Sequence, residues 1–147
     1  MTTLRDVPKS YGDAARFLNA KDHGKGNVQR AIVANNTVIE RTRLGRDGGE
    51  FDAFHLLLHG HCVLTWYHDG RIVLDSCGYR TVTTKDRLNR AQSIVRVSSK
   101  DHRWYVTNLS TWEVEPFFDG ITYVDHGQAI GAFYDTHGGV GQPACGD

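Results

Sequence analysis

Short segments rich in apolar and β-branched residues, with no apolar run longer than four or five residues and with Gly, Asn and Asp between them, run through most of this chain. Such runs bounded by turn residues predict strands. They fall at Val28 to Val33, Thr37 to Thr42, Phe51 to Leu58, Cys62 to Tyr67, Arg71 to Leu74, Ile94 to Val97, Trp104 to Thr107, Trp112 to Phe118, Ile121 to Val124 and Ala129 to Tyr134. Asn35-Asn36 and Ser76-Cys77-Gly78 read as turns, and Ser98 to Asp101 as a polar turn. Asp69-Gly70 and Asp119-Gly120 each predict a hairpin, with the type I′ turn that Asp-Gly favours. Lys21 to Asn27 and Leu44 to Glu50 are Gly-rich loops.

Two segments carry helical spacing instead. Ser10 is placed to cap a helix over Tyr11 to Ala20, with Ala14, Ala15, Phe17 and Leu18 on its apolar face. Thr83, with Asp86 three residues later, reads as a capping box opening a helix from Thr84 to about Gln92. Leu88 and Ala91 would face inward there, and Lys85, Arg87 and Arg90 outward. The fold class expected is α+β: a mainly antiparallel, meander-like sheet of seven to nine strands with two short helices. A doubly wound parallel sheet would need a helix after most strands. Residues 1–136 are expected to form one α+β domain, and residues 137–147, with four glycines and a proline, a loose tail.

At 147 residues and 39% hydrophobic content, the chain can bury a core without covalent staples. Its longest apolar runs are too short for a transmembrane helix. MTTLRDVPKS lacks the apolar region of a signal peptide, so cytoplasmic residence is the expectation. Cys62, Cys77 and Cys145 are odd in number and form no C-x-x-C pair, which points to reduced thiols rather than a disulfide framework or zinc knuckle.

The net charge is zero but segregated along the chain. Residues 1–46 carry net +5, 47–70 net −4, 71–103 net +5 and 104–147 net −6, the last with no Lys or Arg at all. Either these segments pair within the fold, or the surface is bipolar with one anion-attracting face.

Three constellations could carry chemistry. His55, His59, His61 and His68 cluster in sequence near Asp69. Residues two apart on a strand share a face, so His59 and His61 could begin a divalent-metal site with His68, Asp69, His102 or His126 completing it. Gly60 argues against this by suggesting a bulge or turn between the two. The second constellation is Arg80, Thr83, Thr84, Lys85, Arg87 and Arg90, a basic and hydroxyl-rich block around a helix N-terminus suited to phosphate or another anion. The third is the aromatic segment Trp104, Tyr105, Trp112, Phe117, Phe118, Tyr123, Phe133 and Tyr134, which also holds six acids. Any of these rings left exposed would form an acidic, aromatic patch suited to a basic protein surface. No Gly-x-Ser-x-Gly is present, and Cys62 should lie on the opposite strand face from His61, which makes a poor nucleophilic dyad.

The chain holds, in order, Asn35-Asn36-Thr37 with Glu40-Arg41, Leu58-His59, Tyr67-His68-Asp69-Gly70, Leu74-Asp75-Ser76-Cys77-Gly78-Tyr79 and Arg80-Thr81-Val82-Thr83-Thr84-Lys85-Asp86-Arg87-Leu88-Asn89. This order resembles an uncharacterised family of small phage and prophage proteins of the actinobacteriophage type. Cys77 and Tyr79 depart from the Gly and Trp usual there, and the acidic C-terminal portion is longer. The resemblance implies a phage origin and transfers no catalytic residue.

The resulting expectation is a phage accessory protein without catalytic signature or cofactor, acting in the bacterial host cytoplasm or carried in the virion. It would bind a host macromolecule, as host-takeover or anti-defence factors do, and no membrane. The alternatives are a nucleic-acid or nucleotide binder using the Arg80–Arg90 face, and a metal-dependent hydrolase or nuclease using the His55–His68 cluster.

Overall fold

The computed structural model describes residues 7–21, 28–34, 36–44 and 51–124. In chain order the elements are α1 (Tyr11–Lys21), β1 (Arg30–Ala34), β2 (Thr37–Leu44), β3 (Phe51–Leu58), β4 (His61–Trp66), β5 (Arg71–Leu74), α2 (Val82–Arg90), β6 (Val95–Lys100), β7 (Arg103–Asn108), β8 (Val114–Pro116) and β9 (Ile121–Val124). This is the α+β, antiparallel architecture that the pattern predicts. The strands divide, however, into a six-stranded sheet ordered β1-β2-β3-β4-β5-β9 and a three-stranded sheet ordered β6-β7-β8.

The first five strands form a meander, each pairing antiparallel with the next. His59 and Gly60 both take left-handed backbone, at φ 53° and 83°, between the paired residues Leu58 and His61. That is the type I′ geometry whose twist matches a two-residue hairpin. The β4–β5 turn differs from the expectation. Only Gly70 is left-handed there, at φ 94°, and its N–H donates to the Tyr67 carbonyl at 3.0 Å. This is a type I turn followed by a glycine bulge, and Asp69 instead accepts from the Arg71 N–H at 3.1 Å. The expected Ser98–Asp101 turn is likewise corrected. Strand pairing continues to Lys100 opposite Arg103, and Asp101 and His102 make the turn with φ of 54° and 65°.

The hairpin expected around Asp119-Gly120 does not form. β8 pairs with β7 in the small sheet, whereas β9 adds to β5 in the large one. Asp119-Gly120 is therefore the crossing point between sheets. The strand suggested at Ala129 to Tyr134, the 137–147 tail, Asn35 of the Asn-Asn turn, Cys145 and His126 lie outside the described residues.

Ser10 caps α1 as its position implies. Its hydroxyl accepts from the Asp13 N–H at 3.1 Å and its carbonyl from the Ala14 N–H at 3.0 Å. Ala14 and Leu18 of α1 are fully buried, and Asn19 accepts from the guanidinium of buried Arg41 on β2 at 3.0 Å. Helix α2 starts earlier than its sequence suggests. Thr81 is the N-cap, with its hydroxyl accepting from the Thr84 N–H at 3.1 Å. The Thr83–Asp86 capping box is thus overturned, and Asp86 sits mid-helix.

Both sheets and both helices contribute to one apolar core that includes Leu18, Phe54, Leu64, Trp66, Leu74, Leu88, Val97, Val106 and Ile121. Two side-chain amides attach α2 to the small sheet. Asn89 receives the Val97 N–H at 2.7 Å and donates to the Val97 carbonyl at 2.9 Å, standing in for a strand at the β6 edge. Buried Gln92 donates to the Leu88 and Val95 carbonyls and accepts from the Ile94 and Val95 N–H groups, which satisfies its whole amide. Among the described residues, no helix is long and apolar enough to cross a membrane.

Candidate functional site

The six residues of the basic block share α2 and the turn before it, but they do not converge on one open site. Arg87 is buried, against the outward orientation expected for it. It donates to Thr37 Oγ1 at 2.8 Å, to Asn36 Oδ1 at 3.4 Å and to Asp86 Oδ2 at 2.8 Å. Arg90 Nε lies 3.0 Å from both Asp86 carboxylate oxygens. Arg80 Nε donates to Ser76 Oγ at 2.9 Å, and its guanidinium carbon sits 5.2 Å from the Trp104 ring centre and 5.0 Å from that of Phe117. Lys85 Nζ donates to Ser99 Oγ at 2.7 Å. These four cations hold the helix, the glycine turn and the two sheets together.

Thr83 and Thr84 instead border a cleft of about 390 Å³, together with Leu58, His59, His61, Val63, Ser76, Tyr79 and Thr81. Two residues of the histidine cluster therefore meet two of the basic block, a juxtaposition that no local spacing announces. His59 and His61 reach the cleft without sharing a strand face, because His59 is a turn residue. The His59 Nε2 lies 3.2 Å from Asn36 Nδ2, and the His61 ring packs 4.7 Å from Tyr79. His68 stands at the other end of β4, roughly 20 Å away at 3.3 Å per residue, with its ring 5.8 Å from Tyr11. His55 is tied to Thr65 and Thr42, each at 2.9 Å. Among the described residues, no three His, Cys, Asp or Glu side chains gather as a metal centre.

The cross-strand neighbour of Cys62 was missed in the sequence. Its Sγ lies 3.8 Å from His55 Nδ1 and 3.4 Å from the hydroxyl of Thr65, which is fully buried. Only the register of β3 on β4, with its irregularity after Leu56, brings them together. Cys77 is the second thiol of this region. Its Sγ donates to the Cys62 carbonyl at 2.8 Å. Burial, reinforced by the Asp75 carboxylate beside it, pushes the Cys77 thiol up to about 12. Burial also raises Asp75 above the usual carboxylate value.

A raised folded pKa means that the native state holds its proton longer than the unfolded chain. The contribution of Cys77 to stability is therefore complete below about pH 9 and is lost as the pH rises toward 12. Urea midpoints measured across that window should fall with pH, and the fall should be shallower in Cys77→Ala. Tyr123, raised in the same direction by burial and its bond to Glu115, would leave part of the slope in place. Equal slopes in the two proteins would remove Cys77 from the account.

Among the described residues, four of the seven exposed large hydrophobic side chains lie on or beside β8 of the small sheet; the others are Ile32, Tyr79 and Val82. Trp112 is 71% exposed, Val114 61% and Phe118 57%, with Leu109 beside them in sequence. The chain reaches this patch through a tight turn in which Asn108 Oδ1 accepts from the Ser110 and Thr111 N–H groups at 2.8 and 3.1 Å. Trp112 itself is held at φ 66°. Asn108, Glu113, Val114 and Glu115 border a shallow recess of about 420 Å³ on the same edge. Of the aromatic segment, Trp112 and Phe118 are the rings left exposed, at opposite ends of β8. Trp104 and Phe117 are core residues.

The chain is a phage protein, by its match to a family model that spans residues 23–124. It belongs to the Kyanoviridae Gp96 protein family. The matched span runs from just after α1 to the end of β9 and so contains both sheets and α2. The match supports a phage family and carries no support for the actinobacteriophage type or for the motif pattern described above. No curated protein matches the chain, and no solved structure does.

Proposed function

We propose that this phage protein is an accessory factor that acts in the host cytoplasm by binding a host protein, and that the β7–β8 end of the small sheet is the contact. Exposed Trp112 is the observation that carries this reading. Left-handed backbone costs a side-chain-bearing residue about 1–2 kcal/mol. The β7–β8 turn requires that backbone, since the Trp112 N–H donates to the Asn108 carbonyl at 2.7 Å, but the turn would be served better by Gly or Asn, so it does not explain a large ring held in the open. Tryptophan is also the residue type most enriched where binding energy concentrates. Leu109 and Val114 extend the apolar contact around Trp112, and exposed Glu113 and Glu115 add negative charge beside it. The partner surface that complements this patch is apolar at its centre and basic beside it.

The test is capture from nuclease-treated host lysate by the purified protein and by Trp112→Asn. Asparagine tolerates left-handed backbone, so the variant should be as stable as the parent or up to about 1 kcal/mol more stable. One stoichiometric host protein should be retained by the parent and reduced at least tenfold with Trp112→Asn. Paired Glu113→Lys and Glu115→Lys changes should weaken the same complex. A partner held equally well by Trp112→Asn, or no partner at all, would sink this reading.

A further inference from the structure

Eight cations lie between residues 71 and 103, and the fold engages five of them. Arg71 pairs with Asp69 at 2.8 Å, while Arg80, Lys85, Arg87 and Arg90 have the partners given above. Among the described residues, the side chains of the other three, Arg96, Lys100 and Arg103, have no hydrogen-bond, ion-pair or stacking partner, and all three residues are exposed.

The register of the small sheet places these three together. Val95 and Val97 of β6 are buried, so alternation turns Arg96, Ser98 and Lys100 to the outer face. Their cross-strand partners on β7 are Thr107, Tyr105 and Arg103. Lys100 and Arg103 therefore stand directly opposite one another, a like-charge pair that destabilises a sheet. Arg96 lies four residues from Lys100, roughly 13 Å along the strand. The Tyr105 ring position falls between the two ends of this cationic row. The acids of the small sheet do not relieve the charge. Glu115 pairs in register with buried Val106, on the other face, and accepts from the Tyr123 hydroxyl at 2.6 Å. Asp101 lies in the turn beyond Lys100 and Arg103, with an ion pair to neither.

We propose that this outer face binds the backbone of a single-stranded nucleic acid. Three unneutralised cations around an aromatic position on an open sheet combine the two elements of single-strand recognition, a positive track for phosphates and a ring for a base. At its β6 edge this face adjoins α2, where Arg96 and Ser98 border a recess with Lys85 and Asp86, but the basic groups of the Arg80–Arg90 block are engaged within the fold: Lys85 donates to Ser99, and Asp86 is taken up by Arg87 and Arg90. The face also adjoins the proposed host-protein contact at Val114, which pairs with Thr107, but does not use Trp112, so Trp112→Asn separates the two readings.

Anisotropy of a fluorescein-labelled twenty-nucleotide oligothymidylate, titrated with the full-length protein at several salt concentrations, tests the proposal. Each phosphate neutralised on a single strand contributes a slope of about −0.7, so three cations predict a log–log slope near −2. Arg96→Gln combined with Lys100→Gln and Arg103→Gln should weaken binding at least tenfold and leave the urea midpoint no lower, because none of the three has a partner to lose. Tyr105→Ala should weaken binding with the salt slope unchanged, and Trp112→Asn should change nothing. Equal binding by the triple variant, or none at the lowest salt, would overturn the proposal. Equal affinity for a duplex of the same length would overturn the single-strand assignment, and equal affinity for polyglutamate would point to an acidic protein surface instead.

Discussion

Arg87→Ala should destabilise the protein by about 3 kcal/mol, the largest effect expected from any charged residue here. Thr37 is fully buried, and its hydroxyl accepts from Arg87 Nε at 2.8 Å. Without that donor, a buried oxygen is stranded, at a cost of about 1–3 kcal/mol. The aliphatic stem of the arginine also fills space between α2 and the start of β2, and its loss adds a cavity term. Breaking a fully buried ion pair costs about 3–5 kcal/mol, but Asp86 is only partly buried and keeps Arg90, which holds the total nearer the lower end. Arg87→Lys should recover less than half of the loss, since one ammonium cannot serve Thr37 and Asp86 in the guanidinium's planar geometry. Urea denaturation measures both variants. A change below about 1 kcal/mol for Arg87→Ala would mean that the side chain behaves as a solvated surface cation.

Trp66→Ala should cost more, about 4 kcal/mol. Trp66 is 1% exposed and lies where β4 meets the C-terminal end of α2. Its indole N–H donates to the Ala91 carbonyl at 3.0 Å, one of the helix-end groups left without an intrahelical donor. Truncation removes a large apolar volume and orphans that carbonyl. Trp66→Phe separates the two terms: it keeps most of the packing and should lose about 1–2 kcal/mol, mainly through the missing hydrogen bond. If Trp66→Phe proves as damaging as Trp66→Ala, the hydrogen bond rather than the volume dominates this contact.

These two residues also explain what the motif order from Asn36 to Asn89 does. Asn36, Thr37 and Arg87 meet in one hydrogen-bonded group, His59 contacts Asn36, Thr81 caps α2, and Asn89 holds the β6 edge. Segments some fifty residues apart in sequence are adjacent in the fold. Their hydrogen bonds tie α2 to both sheets. The surfaces left open by this network, the Trp112 patch and the Arg96 face, both belong to the small sheet. Both proposed contacts lie C-terminal to the stretch from Asn36 to Asn89.

The inward orientation of Arg87 is legible in the sequence by spacing, against its charge. Thr84, Arg87, Leu88 and Ala91 stand at i, i+3, i+4 and i+7, one continuous helical stripe. The expectation that charged residues face water overrode that spacing. Periodicity is the stronger guide where a buried hydroxyl such as that of Thr37 can meet the charge. The cap at Thr81 was similarly available, since Thr84 follows it at the same offset as Asp86 follows Thr83. The acidic residue at the second position made the wrong box look better.

The local content of this fold is a property of the sequence itself. Short apolar runs between turn residues determine nearly every strand and the antiparallel meander, and Ser10 determines the start of α1, because hydrogen-bond capping and side-chain alternation act over a few residues. The partition into two sheets is different. Asp119-Gly120 favours a tight turn whichever strands flank it, so turn chemistry says nothing of whether β9 returns to β8 or crosses to β5. The crossing buries Ile121 against the common core, and that gain exists only once β5, α2 and the small sheet are in place. Long-range packing likewise selects which cations are engaged and which are left on the surface. A charge run in sequence has no face, and only the register of β6 on β7 collects Arg96, Lys100 and Arg103 on one side.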